Sequence, residues 1–428
     1  MRRIIKIFLS TSTSSFGLLI AAMCMAYLLV FSFAAAAEPS YQKPPTLRAS
    51  YLLPANMISG PLFHVDDEVP TDGLMGHYTL RSEYGTFVVP GRELLRIRIA
   101  ELPAIQQLNK VSNSQEFLDA MGQAAEKPIQ SAENLISNPE KTLSGIPSGI
   151  SRLFDSVEQG AKAITRAAST PGESTTQKME ATLDRIGSVT MTALGYEQTR
   201  RQLAQSLGVD PYTTNPVLAK KLSDVARVAF SGNLAVNSLV TAFVPASIAI
   251  TGTNFTSDLV YDTSAADLIQ MDKQKMLNMG ASEDQVQALL NNRWYSLSVL
   301  TSLVGELERL PGVSGAPEVI VLAATARNEE EARFLASSVQ MLAWLNASGT
   351  PISQIAGRGT VVGIGPNGDI VVPAPVDYIS WTERIGNFAK RTDLEAGQRS
   401  IWLSGKMSGV AQRGFTELHW TLYQGPWQ

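Results

Sequence analysis

Five residues with metal-ligand chemistry lie within nine positions near the start of the chain: His64, Asp66, Asp67, Glu68 and Asp72, with His77 close behind. Imidazole together with carboxylate can hold zinc, and an oxygen-rich loop can hold calcium. Water activated at His64 and Asp66 would make the chain a metal-dependent hydrolase. The spacing fits no EF-hand, however, and no H-E-x-x-H occurs anywhere. An acidic solvated loop is the simpler expectation, and no metal ligand is assigned.

Two glycine-rich stretches suggest phosphate binding. Gly363-Ile364-Gly365-Pro366-Asn367-Gly368 satisfies G-x-G-x-x-G letter for letter. A dinucleotide fingerprint needs those glycines between a strand and a helix, so that amides face the pyrophosphate. Here a second strand pattern follows and Pro366 removes an amide, so the stretch reads as a hairpin turn. Gly405-Lys406-Met407-Ser408 resembles the end of a P-loop, but Ser400 stands where the earlier glycine belongs. Nucleophilic catalysis finds no G-x-S-x-G elbow, one cysteine and three histidines, of which His419 beside Trp420 reads as structural. No catalytic residue, cofactor-binding residue or cofactor is therefore assigned. A non-enzymatic role is expected.

The strongest signal is positional. MRRIIKIF is basic, Phe16 to Phe33 is an apolar run, and Ala34 to Ala37 closes the segment before Glu38-Pro39. These are the three parts of a secretory signal, with Ala35 and Ala37 as the small residues of the cleavage motif. The run is also close to the ~20 residues that cross a bilayer, so a retained anchor through residues 16–33 is the alternative. Cleavage would remove Cys24, the single cysteine, along with Arg2, Arg3 and Lys6. The net charge would then move from −4 to −7, because the segment holds no acid. A mildly acidic chain lacks the electrostatic footprint of a nucleic-acid binder. A cysteine-free exported chain is held together by burial alone and fits a bacterial envelope.

The elements beyond the signal predict a mainly α chain with α+β parts. Residues 38–110 are a Pro-rich tether followed by a mixed β/α region. Strand character marks Ser50 to Leu53, His77 to Leu80 and Thr86 to Val89, the last two joined through a turn at Gly85. Arg92 to Leu102 fits either period, and continuation through Ile105 and Leu108 favours a helix that Pro103 would kink or restart.

Residues 111–192 form a low-complexity, amphipathic helical and linker region. Within it, Ile150, Leu153, Phe154, Val157, Ala161 and Ile164 share one face, expected to dock on the protein's own body rather than on lipid. Residues 193–350 read as a helical domain with clear punctuation. Asn215-Pro216 starts one helix, Ser282 to Gln285 is a capping box, and Asn328 with Glu331 opens a long helix that ends near Gly349. Pro317 to Thr325 has strand propensity, but a helix is more consistent with its neighbours. Val236 to Ile250 is too short and too polar for most membrane spans and reads as a buried hairpin.

Residues 351–428 read as a small α+β domain. It comprises a hairpin across Gly365 to Gly368, a capping box at Ser380 to Glu383, a strand at Ser400 to Leu403, a helix capped by Ser408 and a last strand near Trp420. The whole points to an exported, periplasmic or extracellular envelope protein with a binding or assembly role. Its partner would be a protein or another envelope component, not a nucleic acid.

Overall fold

The computed structural model describes residues 40–115, 117–119, 150–154, 191–233 and 254–425. Strands gather at the two ends of this range and helices fill the middle, a mixed α with α+β architecture. Near the N-terminus, β1 (Thr46–Arg48) pairs antiparallel with β4 (Glu68–Pro70). A four-stranded antiparallel sheet joins β2 (Ser59–Gly60), β3 (Phe63–Val65), β5 (His77–Ser82) and β6 (Gly85–Pro90) in the order β2-β3-β5-β6. Tyr78 and Leu80 alternate into the core along β5, and the hairpin closes where Ser82 meets Gly85.

The strand expected at Ser50 to Leu53 is instead a helical turn, Ala49–Leu52. Ala49 and Leu52 are both buried, and residues three apart share a side only in a helix. Helix α1 (Arg92–Ser112) runs uninterrupted through Pro103. Leu94, Leu95, Leu102, Ile105 and Leu108 face inward, so the helical period wins over the strand reading of the same letters.

Helices α2 (Met191–Leu207) and α3 (Pro216–Val228) pack against α1 around Leu203, Leu207, Leu218, Leu222 and Val225. Asn215 caps α3 by accepting from the amides of Val217 and Leu218, and proline follows at the first helical position. Then come α4 (Asn254–Asp262), α5 (Ala265–Asn278), α6 (Glu283–Leu290), α7 (Leu297–Glu308), α8 (Ala316–Ala324) and α9 (Glu329–Ala347). The capping box at Ser282 forms in both directions, at 3.3 Å and 2.9 Å. Helix α8 takes the Pro317 to Thr325 segment. Val319, Ile320, Val321 and Leu322 are all buried, and a helix that is apolar all round needs cover on every side. Helix α6 and the first strand of the C-terminal sheet supply it.

That sheet has the order β13-β11-β9-β8-β7. Strands β7 (Gln354–Arg358), β8 (Thr360–Ile364) and β9 (Ile370–Ala374) form an antiparallel meander. Helix α10 (Glu383–Ala389) then crosses to β11 (Arg399–Leu403), and α11 (Gly409–Glu417) crosses to β13 (Thr421–Gln424). Both crossovers give parallel pairs. A separate two-stranded parallel ribbon joins β10 (Tyr378–Ile379) to β12 (Lys406–Met407).

The cap of α10 is Thr382, not Ser380. The amide of Ser380 donates to the carbonyl of Gly73 at 2.9 Å, and the helix starts two residues later. The described residues from Tyr41 belong to one compact unit. Within it a continuous apolar core runs from Met276 in α5 to Trp420, so the helices of the middle and the C-terminal sheet share it.

Candidate functional site

Three consecutive glutamates, Glu329, Glu330 and Glu331, fill the first turn of α9. Asn328 starts that turn by accepting from the amide of Glu331 at 2.7 Å. Carboxylates here gain from the helix dipole, typically 0.3–1 kcal/mol each. Successive helical residues point about 100° apart. The triplet therefore fans into three different parts of the molecule.

Glu329 reaches α1 and α3. It accepts from the Thr214 hydroxyl at 2.6 Å and from Arg333 Nε at 2.7 Å, and Arg98 Nη2 stands at 3.7 Å. Burial alone would raise its pKa, but Arg333, Arg98 and these hydrogen bonds outweigh it and hold the carboxyl below its usual range. Arg98 also donates to both oxygens of Glu101, at 3.2 and 3.0 Å, and to Thr214 at 2.6 Å. Glu101 in turn accepts from Thr213 and, at 2.8 Å, from Asn215 Nδ2. The residue that caps α3 is thus tied to a buried ion pair on α1.

Glu331 faces residues 150–154. Arg152 grips it with Nε to Oε1 at 3.0 Å and Nη2 to Oε2 at 2.5 Å, and the Arg327 amide donates at 2.8 Å. Phe154 lies against Phe334 and Phe388. The expectation that Ile150, Leu153 and Phe154 dock on the protein's own body is met at these residues, while Val157, Ala161 and Ile164 fall outside the described range.

Glu330 is the outlier. Its Oε1 is buried and has no hydrogen-bond partner among the described residues. Burial first, then the neighbouring charges of Asp72, Asp377 and Glu331, push its pKa up to about 8. Asp377 is itself buried but well served. It accepts from the Gly76 amide at 3.0 Å, the Tyr78 hydroxyl at 3.1 Å and the Arg92 amide at 3.1 Å. Gly91, at the start of α1, has no side chain to cap the helix, and Asp377 does it from 285 residues away. Burial raises the pKa of Asp377 despite those donors. Asp72 spends Oδ1 on the amides of Leu74 and Met75, at 2.8 and 2.7 Å, while its Oδ2 and His77 Nε2 are buried without partners among the described residues. Gly405 backs this junction: a Cβ there would lie 2.2 Å from the Asp377 carbonyl.

The other residues singled out by sequence have dispersed. His64 is exposed on β3, and Asp66 is held by Arg81 through two contacts of 2.7 Å. Those hydrogen bonds lower the Asp66 pKa. Asp67 pairs at 3.6 Å with Arg48, and Glu68 is exposed on β4. Among the described residues no group of three or more His, Cys, Asp or Glu is placed to hold a metal ion. Gly363 to Gly368 join β8 to β9 as a hairpin, and Ser408 caps α11. His419 is exposed, with a φ of 61°, where the chain leaves α11. Ala35, Ala37 and residues 16–33 and 236–250 lie outside the described range. No helix among the described residues is long and apolar enough to cross a membrane.

Asp377, Glu330 and Glu101 went unflagged in the sequence, although a signal existed for two of them. Asp377 interrupts an apolar run between Val376 and Tyr378, and Glu101 sits three positions after Arg98 on the buried face of α1. Comparison of the chain with protein-family models, curated proteins and solved structures returns no match.

Proposed function

We propose that the chain is an exported, non-enzymatic protein of the bacterial envelope that works by binding or assembly. The observation that carries this reading is the N-terminal order of basic residues, apolar run and Ala34 to Ala37. The acidic residues around α9 are consistent with a scaffold. Glu101, Glu329, Glu331 and Asp377 are each engaged by donors from distant elements, which suits holding a shape more than turning over a substrate.

Cell fractionation with N-terminal sequencing of the protein as it accumulates tests the proposal. A mature chain starting at Glu38 in the periplasmic or extracellular fraction is expected, with partners recovered by mild cross-linking before lysis. A cytoplasmic chain that keeps Met1 would refute export. The length of the apolar run supports a second reading, a membrane-anchored envelope protein. Carbonate extraction separates the two, because an anchored chain stays with the membrane pellet and a processed one is released.

A further inference from the structure

Among the described residues, the side-chain partners of residues 150–154 lie far from them in sequence. Arg152 meets Glu331 across 179 residues and donates to the Thr325 carbonyl at 3.2 Å across 173. Phe154 packs on Phe334 of α9 at 5.7 Å and edge-on against Phe388 of α10 at 5.1 Å. Ile150 and Leu153 are as buried as any residue of the main core, and the Glu331 carboxylate that receives Arg152 is 1% exposed.

The chemistry is that of short-motif recognition. A planar guanidinium fork meets a carboxylate bidentately, which a lysine cannot reproduce. One aromatic ring fills a pocket walled by two others, and two aliphatic residues complete the seal. Anchors of this kind, an arginine and an aromatic in a desolvated setting, dominate the energy of protein interfaces. The segment joins no sheet and holds only a single tight turn, Ser151–Phe154. The specificity therefore lies in its side chains.

We infer that the groove between α9 and α10 is a recognition site for an Ile-x-Arg-Leu-Phe motif. The chain fills it with its own residues 150–154, and a second copy of the chain can fill it in exchange. The contacts are the same whichever copy supplies the segment. The nearest described residues in sequence are Asp119 and Met191, 31 and 37 positions away from its two ends. About 30 residues span at most ~100 Å when extended, so reach does not confine the segment to its own groove. Closure entropy grows only slowly with such lengths, and exchange of an identical element is a low-cost route to dimers.

The test uses a fluorescently labelled peptide of residues 149–155 and the full chain, read by anisotropy. An Arg152→Ala/Phe154→Ala chain has an unfilled groove and is expected to bind the peptide at least tenfold more tightly than the parent chain does. Adding Glu331→Gln should reverse that gain. A folded double variant with no gain overturns the recognition site. If the double variant does not fold, Arg152→Lys replaces it, because the charge is kept and the fork is lost. Peptide affinity then still rises above the parent's, and equal affinities overturn the site. For exchange, the Arg152→Ala/Phe154→Ala chain is mixed with the Glu331→Gln chain and followed by sedimentation. A heterodimer that excess peptide dissolves supports exchange between copies. Peptide binding with no heterodimer overturns it.

Discussion

Asp272 is a residue whose protonation the fold controls through burial. It lies on the buried stripe of α5 at i+4 from Leu268 and four before Met276, and it is 0% exposed. Thr301 of α7 donates to Oδ2 at 2.7 Å, while Oδ1 has no partner among the described residues. Burial lifts its pKa from 3.8 to about 7; Thr301 and Lys275 oppose the rise, and Glu308 adds to it. Because the folded pKa is the higher one, the folded chain holds a proton that the unfolded chain has released between those values. Stability is then fullest below about pH 4 and falls as pH rises toward 7, by an amount on the order of 4 kcal/mol from this group. Asp272→Asn should flatten that slope and leave the variant more stable than the parent at pH 8, with the advantage gone at pH 4. Urea midpoints at pH 4, 6 and 8 measure it, and parallel profiles for the two proteins would refute it. Glu330 carries the same sign through a higher window, from its ordinary value of 4.5 up to about 8. Glu330→Gln is therefore expected to stabilise the protein most clearly above pH 8, by the same measurement.

Between elements, the joints are where single changes should cost most. Removing Glu101 takes away the carboxylate that Arg98 grips through two contacts and leaves the buried guanidinium with only the more distant Glu329, at 3.7 Å, as counter-charge. A broken buried pair typically costs 3–5 kcal/mol, so Glu101→Ala should lower stability by about that amount and loosen α3 against α1. Hydrogen exchange of the α3 amides, faster than in the parent, would report the loosening. Asp377→Asn keeps one acceptor oxygen but turns its NH2 group toward at least one of three donors, the Gly76 amide, the Tyr78 hydroxyl and the Arg92 amide at the start of α1. A loss of about 1–3 kcal/mol is expected in denaturant unfolding, and Tyr78→Phe, which removes one donor only, should cost less. Helix starts were the legible part of this level. Asn215, Ser282, Asn328 and Ser408 cap where their side-chain chemistry says they should, because a cap is decided within four residues. Thr382 caps in place of Ser380, whose amide is claimed by a distant carbonyl, that of Gly73. The polar joints were illegible for the same reason. Thr213 and Glu101 are 112 residues apart, and no local pattern announces that they will meet.

At the scale of the whole molecule, sequence punctuation and the physical core divide the chain differently. Gly349 and Thr350 separate a helical stretch from one of strands, and the turn chemistry there is real: Gly349 has a φ of 100°. Yet Val339 and Leu342 of α9 share one core with Ile352, Val362, Val371 and Val372, and Gly315 before α8 leaves no room for a Cβ against the Ile355 carbonyl of β7, 1.8 Å away. Strand β9 is apolar and buried along its whole length, and α9 from the middle of the chain packs against it. Periodicity reports that a face is buried but not what buries it. A chain ending at Gly349 should therefore fail to form a stable helical domain, since α8 and α9 would expose a core face whose burial is worth roughly 25 cal/mol per Å². In the full chain the elements that share this core, from α5 to Trp420, are expected to unfold in one cooperative transition, with coincident far-ultraviolet and tryptophan signals. Trp344 on α9 and Trp381, Trp402 and Trp420 in the C-terminal part would report that transition together. A folded 1–349 fragment with its own sharp transition would show that the shared core is dispensable, and it would restore the boundary at Gly349 as a true domain border.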